Sequence, residues 1–182
     1  MTRTLRITLA AALMAGIAPL AYAKNPMVGG AAMFPTKNIV ENAVNSKDHT
    51  TLVAAVKAAD LVDTLSGAGP FTVFAPTNAA FAKLPAGTVD TLLKPENKGQ
   101  LSAVLTYHVV PGRITAAQIA ANAKAHHGTA TYTTVQGGTL SFKKAGNGWT
   151  IMDQKGDTGR ITIANVMQSN GVIHVIDTVM LP

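Results

Sequence analysis

The chain has 182 residues, with fifteen Lys and Arg against nine Asp and Glu, a net charge of +6, 47% apolar residues and no cysteine. Lacking cysteine, it has no disulfide, no thiol nucleophile and no thiolate metal site, so packing and hydrogen bonds must hold it together. Beyond residue 23 the cations are scattered, with Lys143-Lys144 the one adjacent pair, and no basic stripe interleaved with aromatics supports nucleic-acid binding.

In chain order, Arg3 and Arg6 precede an apolar run from Ile7 to Leu20 and the small-residue sequence Ala21-Tyr22-Ala23. This is the plan of a secretory signal, residues 1–23, with cleavage expected after Ala23; the run falls short of the roughly 20 apolar residues of a membrane span. No transmembrane segment is therefore expected in the mature chain, which would be exported and either periplasmic or secreted. The signal takes two of the fifteen basic and none of the nine acidic residues, leaving +4 on a length suited to one domain.

Residues 24–36, rich in Gly and Pro, are expected to form an extended arm, followed by a single domain over 37–182. Met27 and Met33 in the arm are weak candidates for Cu(I), which favours thioethers; the alternative is adaptable filler along a groove. Helical spacing of apolar residues then predicts short helices around Ile39–Val44, Leu52–Val56 and Leu61–Leu65. Asp48, Thr50 and Thr51 are the expected caps of the second. Phe71–Ala75, apolar and flanked by prolines, predicts a buried strand, and Thr77 a helix start.

Leu101, Val104, Leu105 and His108 share one face of the clearest helix, which begins near Glu96 and ends in a strand and turn at Val109-Val110-Pro111-Gly112. Thr115–Ala123 predicts one more. From Thr129 onward, short β-rich runs separated by Gly-containing turns predict an antiparallel meander, and the fold class is α+β.

Three segments together resemble the fasciclin-type (beta-Ig-H3/fasciclin) domain: FTVFAPTNAAF at Phe71–Phe81, LTYHVVPG at Leu105–Gly112, and NGVIHVIDTVMLP at Asn170–Pro182. The resemblance implies an antiparallel β-sandwich or wedge with helices packed on one side, in an exported bacterial single-domain member without enzyme activity or cofactor. Phe74, Pro76, Thr77, Asn78, Phe81, Asn170, Gly171 and His174 stand at its motif positions. Where relatives can carry an acid after Pro-Thr, this chain has Asn78, so no role that needs a carboxylate there transfers, whereas helix initiation does.

Tyr107 and His108 lie in a motif that the resemblance links to adhesion surfaces. A neutral His108 donating to a backbone carbonyl at the helix-to-strand junction is the structural alternative. Asp177 is a second interaction candidate, with capping of a nearby turn as its alternative. His126-His127 is adjacent to Gly128 in a loop, and adjacent residues of extended chain face opposite ways, which disfavours shared metal ligation.

Ser102, His108 and Asp90 lack a nucleophile elbow, and neither a phosphate-binding loop nor a zinc-protease helix motif occurs. The expected function is non-enzymatic binding: an adhesion or matrix module whose partner is an extracellular or envelope protein or polysaccharide. The alternative is a soluble carrier of an apolar small molecule, such as a carotenoid-like or lipid molecule.

Overall fold

The computed structural model describes residues 25–182, so the expected signal sequence lies outside the described residues. The stretch expected as an arm folds into a two-stranded ribbon, β1 (Met27–Val28) and β2 (Ala31–Ala32), turned by Gly29-Gly30. Val28 and Met33 enter the core from it while Met27 stays 51% exposed, so the two methionines point apart.

The helical region comprises α1 (Ile39–Ala43), a 3₁₀ turn at Lys47–His49, α2 (Thr50–Ala58) and α3 (Val62–Ser66). Strand β3 (Phe71–Pro76) leads into α4 (Asn78–Ala82) and α5 (Thr88–Leu92), then α6 (Lys98–Tyr107), strand β4 (Val109–Pro111) and α7 (Ala116–Ala125). Asn38 and Thr115 open α1 and α7 with reciprocal capping boxes, through Glu41 and Gln118. The chain ends in β5 (Thr129–Thr133), β6 (Thr139–Ala145), β7 (Gly148–Met152), β8 (Thr158–Gln168) and β9 (Gly171–Ile176).

Strands β5 to β9 form the antiparallel meander, and the seven-stranded sheet runs β4-β3-β9-β8-β7-β6-β5. One pairing departs from an all-antiparallel expectation: β3 lies parallel to β9, from Phe71↔Gly171 to Pro76↔Ile176. The sheet curls until Val135 N, just past β5, donates to Val109 O in β4 at 2.8 Å, which gives the wedge an almost closed outline.

Strands β3 and β9 are covered on both faces, which is why their sequences read as continuous apolar runs rather than alternating ones. Val73, Ala75, Ile173 and Val175 pack against helices α1 to α6, whereas Phe74 and Ile176 pack into a second core with Ile119 of α7, Phe142 and Ile151. Successive residues of a strand point oppositely, so α7 covers the face away from the other helices. Gly171 is required at the close approach of β9 to β3, because a Cβ there would collide with the Phe71 carbonyl.

Candidate functional site

The three motif segments meet where α6 turns into β4 beside the end of β9. Tyr107 is wholly buried and donates from its hydroxyl to Thr139 O at 2.7 Å while accepting from Gln154 N at 3.1 Å. Burial raises its pKa, so the hydroxyl keeps its proton for that first bond.

Next to it, His108 is 2% exposed; its Nδ1 lies 2.8 Å from Val104 O, and its Nε2 accepts from Met180 N at 3.0 Å. A carbonyl can only accept, so the proton sits on Nδ1 and the bare Nε2 holds the C-terminal segment. Burial pushes the His108 pKa down to about 4. Neither Tyr107 nor His108 presents its side chain at the surface.

His174 has the opposite tautomer. Its Nε2 bonds Ile114 O at 2.8 Å, its Nδ1 accepts from Asn165 N at 3.3 Å, and its ring stacks on Phe74 with centroids 5.4 Å apart. Burial lowers its pKa too. A third buried histidine, His49, drew no attention in the sequence. Ser46 Oγ lies 2.8 Å from its Nδ1, while Nε2 lies toward the Ala75 carbonyl without a hydrogen bond of good geometry.

The asparagines hold helix ends from a distance. Asn170 accepts from Ile39 N in the first turn of α1 at 3.0 Å and donates to Leu65 O and Gly67 O, both at 2.8 Å, at the end of α3. Thr77 caps α4 by accepting from Ala80 N at 3.2 Å, with Phe81 in the core one turn on. Asn78, the first residue of α4, turns instead to α2: its Oδ1 accepts from Thr51 N at 3.0 Å and its Nδ2 donates to Lys47 O at 2.9 Å.

This corrects the expectation that Asp48, Thr50 or Thr51 caps α2. The residue at that position is His49, which makes no side-chain cap, and the cap comes from Asn78. Pro76 ends β3 opposite Ile176.

Asp177 sits at the rim. Its Oδ1 accepts from Arg160 N at 2.7 Å and Thr178 Oγ1 at 3.0 Å, and Lys83 Nζ reaches its backbone carbonyl at 2.6 Å and its Oδ2 at 3.9 Å. Partial burial opposes its charge, yet these donors and Lys83 outweigh it and hold the pKa below the usual carboxylate value. With side chains 56% and 37% exposed, the Lys83–Asp177 pair is a screened surface contact. Lys83, which the sequence did not single out, is thus the cation of this rim.

His126 bonds the Asn122 carbonyl of its own helix at 2.9 Å, and among the described residues no three His, Asp or Glu side chains gather as a metal site.

The Fasciclin domain model matches residues 47–182. The chain belongs to the fasciclin domain family. This fasciclin domain is 52% identical over 161 residues to Protein sll1483 of Synechocystis sp., covering 87% of this chain and 81% of that protein. It is 37% identical over 145 residues to Immunogenic protein MPB70 of Mycobacterium bovis, covering 77% and 66% respectively.

Cell surface glycolipoprotein MPB83 of the same species is 36% identical over 160 residues, covering 88% of this chain and 62% of that one. A FAS1 domain pair from the insect cell adhesion molecule Fasciclin I shares the fold, with a TM-score of 0.70 at 17% identity. The match covers 80% of this fasciclin domain and 51% of that chain, about half of its length. No helix among the described residues is long and apolar enough to cross a membrane.

Proposed function

We propose that this fasciclin domain is an exported, non-enzymatic interaction module that presents a rigid surface to a protein or polysaccharide of the envelope or matrix. The observation that carries this reading is how its polar motif side chains are used. His108, His174, Asn78 and Asn170 bond backbone groups across the fold, and among the described residues these side chains do not converge with a nucleophile on an open cleft. Fasciclin relatives with cell-surface names support an exported location, as does the signal-like start.

Of the candidates, Asp177 is the one at the surface, and with Lys83 it offers a partner one carboxylate and one ammonium. Tyr107 and His108 act by fixing the junction beneath. The test is binding of the purified mature chain to washed envelopes of its own source. Saturable retention is expected, and its absence from envelopes and culture matrix alike would end this reading.

A second reading, a carrier of an apolar molecule, is favoured by one feature. Between α1, α2, α3 and the β3–β4 edge lies a narrow cleft with about 40 Å³ of enclosed space, lined by aliphatic side chains such as Val40, Val53 and Val62 with Lys57 among them, which would have to widen around a ligand. Apolar lining with few polar groups is what small-molecule sites share. Native mass spectrometry of protein from its own host tests it; a bare mass that also takes up no added carotenoid or fatty acid would remove it.

A further inference from the structure

The side of β5 to β8 turned away from the second core carries a regular grid of hydroxyls and cations. Directly paired residues of neighbouring strands point to the same face, and the pairing places Thr129, Lys143, Thr150 and Arg160 in one row across four strands. The next row, two residues along, is Thr131, Ser141, Met152 and Thr158. The intervening residues Ala130, Phe142 and Ile151 are wholly buried against α7, so the two rows face outward and no helix covers them.

The hydroxyls of Thr129, Thr131, Ser141, Thr150 and Thr158 make no hydrogen bond to another group among the described residues, in contrast with the occupied polar atoms of the motif segments. The two rows contain no acid. The nearest carboxylates are Asp153, which is buried and accepts from Lys155 N, Asp157 N and Leu181 N, Asp177, which is held by Arg160 N and Lys83, and Asp157 in the turn beside Thr158.

We infer that this face binds an extended anionic polysaccharide, one bearing carboxylates at intervals along a hydroxyl-rich chain. Lys143 and Arg160 stand two strands apart, roughly 10 Å at the ordinary interstrand spacing. That span is on the order of the repeat between acidic sugars that alternate with neutral ones. The cations take carboxylates, Arg160 as a planar fork and Lys143 as a point charge. The threonines and Ser141 exchange hydrogen bonds with sugar hydroxyls, and Met152 offers the one apolar contact to a ring face.

An open, outward-facing sheet surface suits a polymer better than a globular protein. The two hollows at its margin, one beside Arg160 and one beside Thr158, are open to solvent rather than the enclosed pockets that take the aromatic or arginine anchors of protein–protein interfaces. The inference rests on the proposed interaction role and assigns it a surface and a partner chemistry.

The test is affinity electrophoresis and titration of the mature chain with a polyuronate, with a neutral glucan of similar length in parallel. Retardation by the polyuronate is expected, weakening with salt. The variant Lys143→Ala/Arg160→Ala should bind at least about tenfold more weakly for each charge-assisted hydrogen bond removed. The matched variant Lys94→Ala/Lys98→Ala, with the same change in net charge, should bind like wild type.

Equal losses in both double variants would mean diffuse attraction and overturn the inference, as would no retardation at low salt or equal retention by the neutral glucan. If Lys143→Ala/Arg160→Ala still binds washed envelopes like wild type, this surface is wrong while the interaction role stands; if wild type binds no envelope, the role itself fails.

Discussion

Two polar regions of this fasciclin domain use the same kinds of residues to opposite ends. Around the motif segments, side-chain amides and imidazoles are buried and bonded to backbone groups up to 131 residues away, as Asn170 is to Ile39. On the outer face of β5 to β8, threonines and a serine stand in register with their hydroxyls unoccupied. Resemblance to a family draws attention to the first region, because its residues form recognisable strings. The contrast teaches that such strings can mark where a fold is tied together, while the surface left for a partner carries no string at all.

The comparison can be broken first at Asn170. Replacing it with Ala leaves Ile39 N, Leu65 O and Gly67 O without their partner, and at about 1 kcal/mol or more for each buried group the loss should reach about 3 kcal/mol. Urea denaturation followed by circular dichroism measures it, and a loss under about 1 kcal/mol would place Asn170 among ordinary surface residues.

A pH dependence of similar size comes from His108, whose pKa falls from 6.5 to about 4 on folding. The folded state resists a proton that the unfolded chain accepts. Stability from this group is therefore complete above about pH 6.5, declines as pH drops toward 4, and is level below it. The drop amounts to about 3 kcal/mol across the window. His174 and His49 shift in the same direction and steepen it. Thermal melts between pH 4 and 8 should show the decline, and His108→Gln, less stable at pH 7, should show a shallower slope.

Asn78→Ala removes the cap lent to α2 and should cost about 1 kcal/mol. Its sharper readout is earlier hydrogen exchange at Thr51 than at amides of α6. At the small end, Thr131→Val on the outer face should change stability by less than about 0.5 kcal/mol, because its hydroxyl makes no hydrogen bond among the described residues. A larger loss in its melt would erase the distinction between the two regions.

Much of the architecture was legible where local chemistry decides it. The i, i+3, i+4 pattern of Leu101, Val104 and Leu105 delivered α6, and the turn clusters at Gln136–Gly138 and Ala145–Gly148 separated β5, β6 and β7. The apolar face of α6 also turned His108 inward. What stayed hidden is long-range pairing. Neither strand pattern says that β3 lies parallel to β9, because a strand buried on both faces looks the same beside any neighbour.

The cap that Asn78 lends to α2 was missed for a related reason: a cap is sought in the residues just before a helix, and this one comes 27 positions later. Residues 24–36 looked featureless because two-residue strands leave no periodicity, though Val28 and Met33 are buried.

The parallel pairing of β3 with β9 also bears on how the chain folds in time. Phe71 and Gly171 pair across one hundred residues, and the helices that cover β3 have no complete surface to rest on until β9 is in place. Contacts this distant in sequence close slowly and late. A ribosome that has released β3 through β8 still holds a chain without the strand beside which β3 lies. Consolidation of β3 and the helices over it then waits until Gly171–Ile176 has followed, so the topology places the closing step of folding after nearly the whole chain has been made.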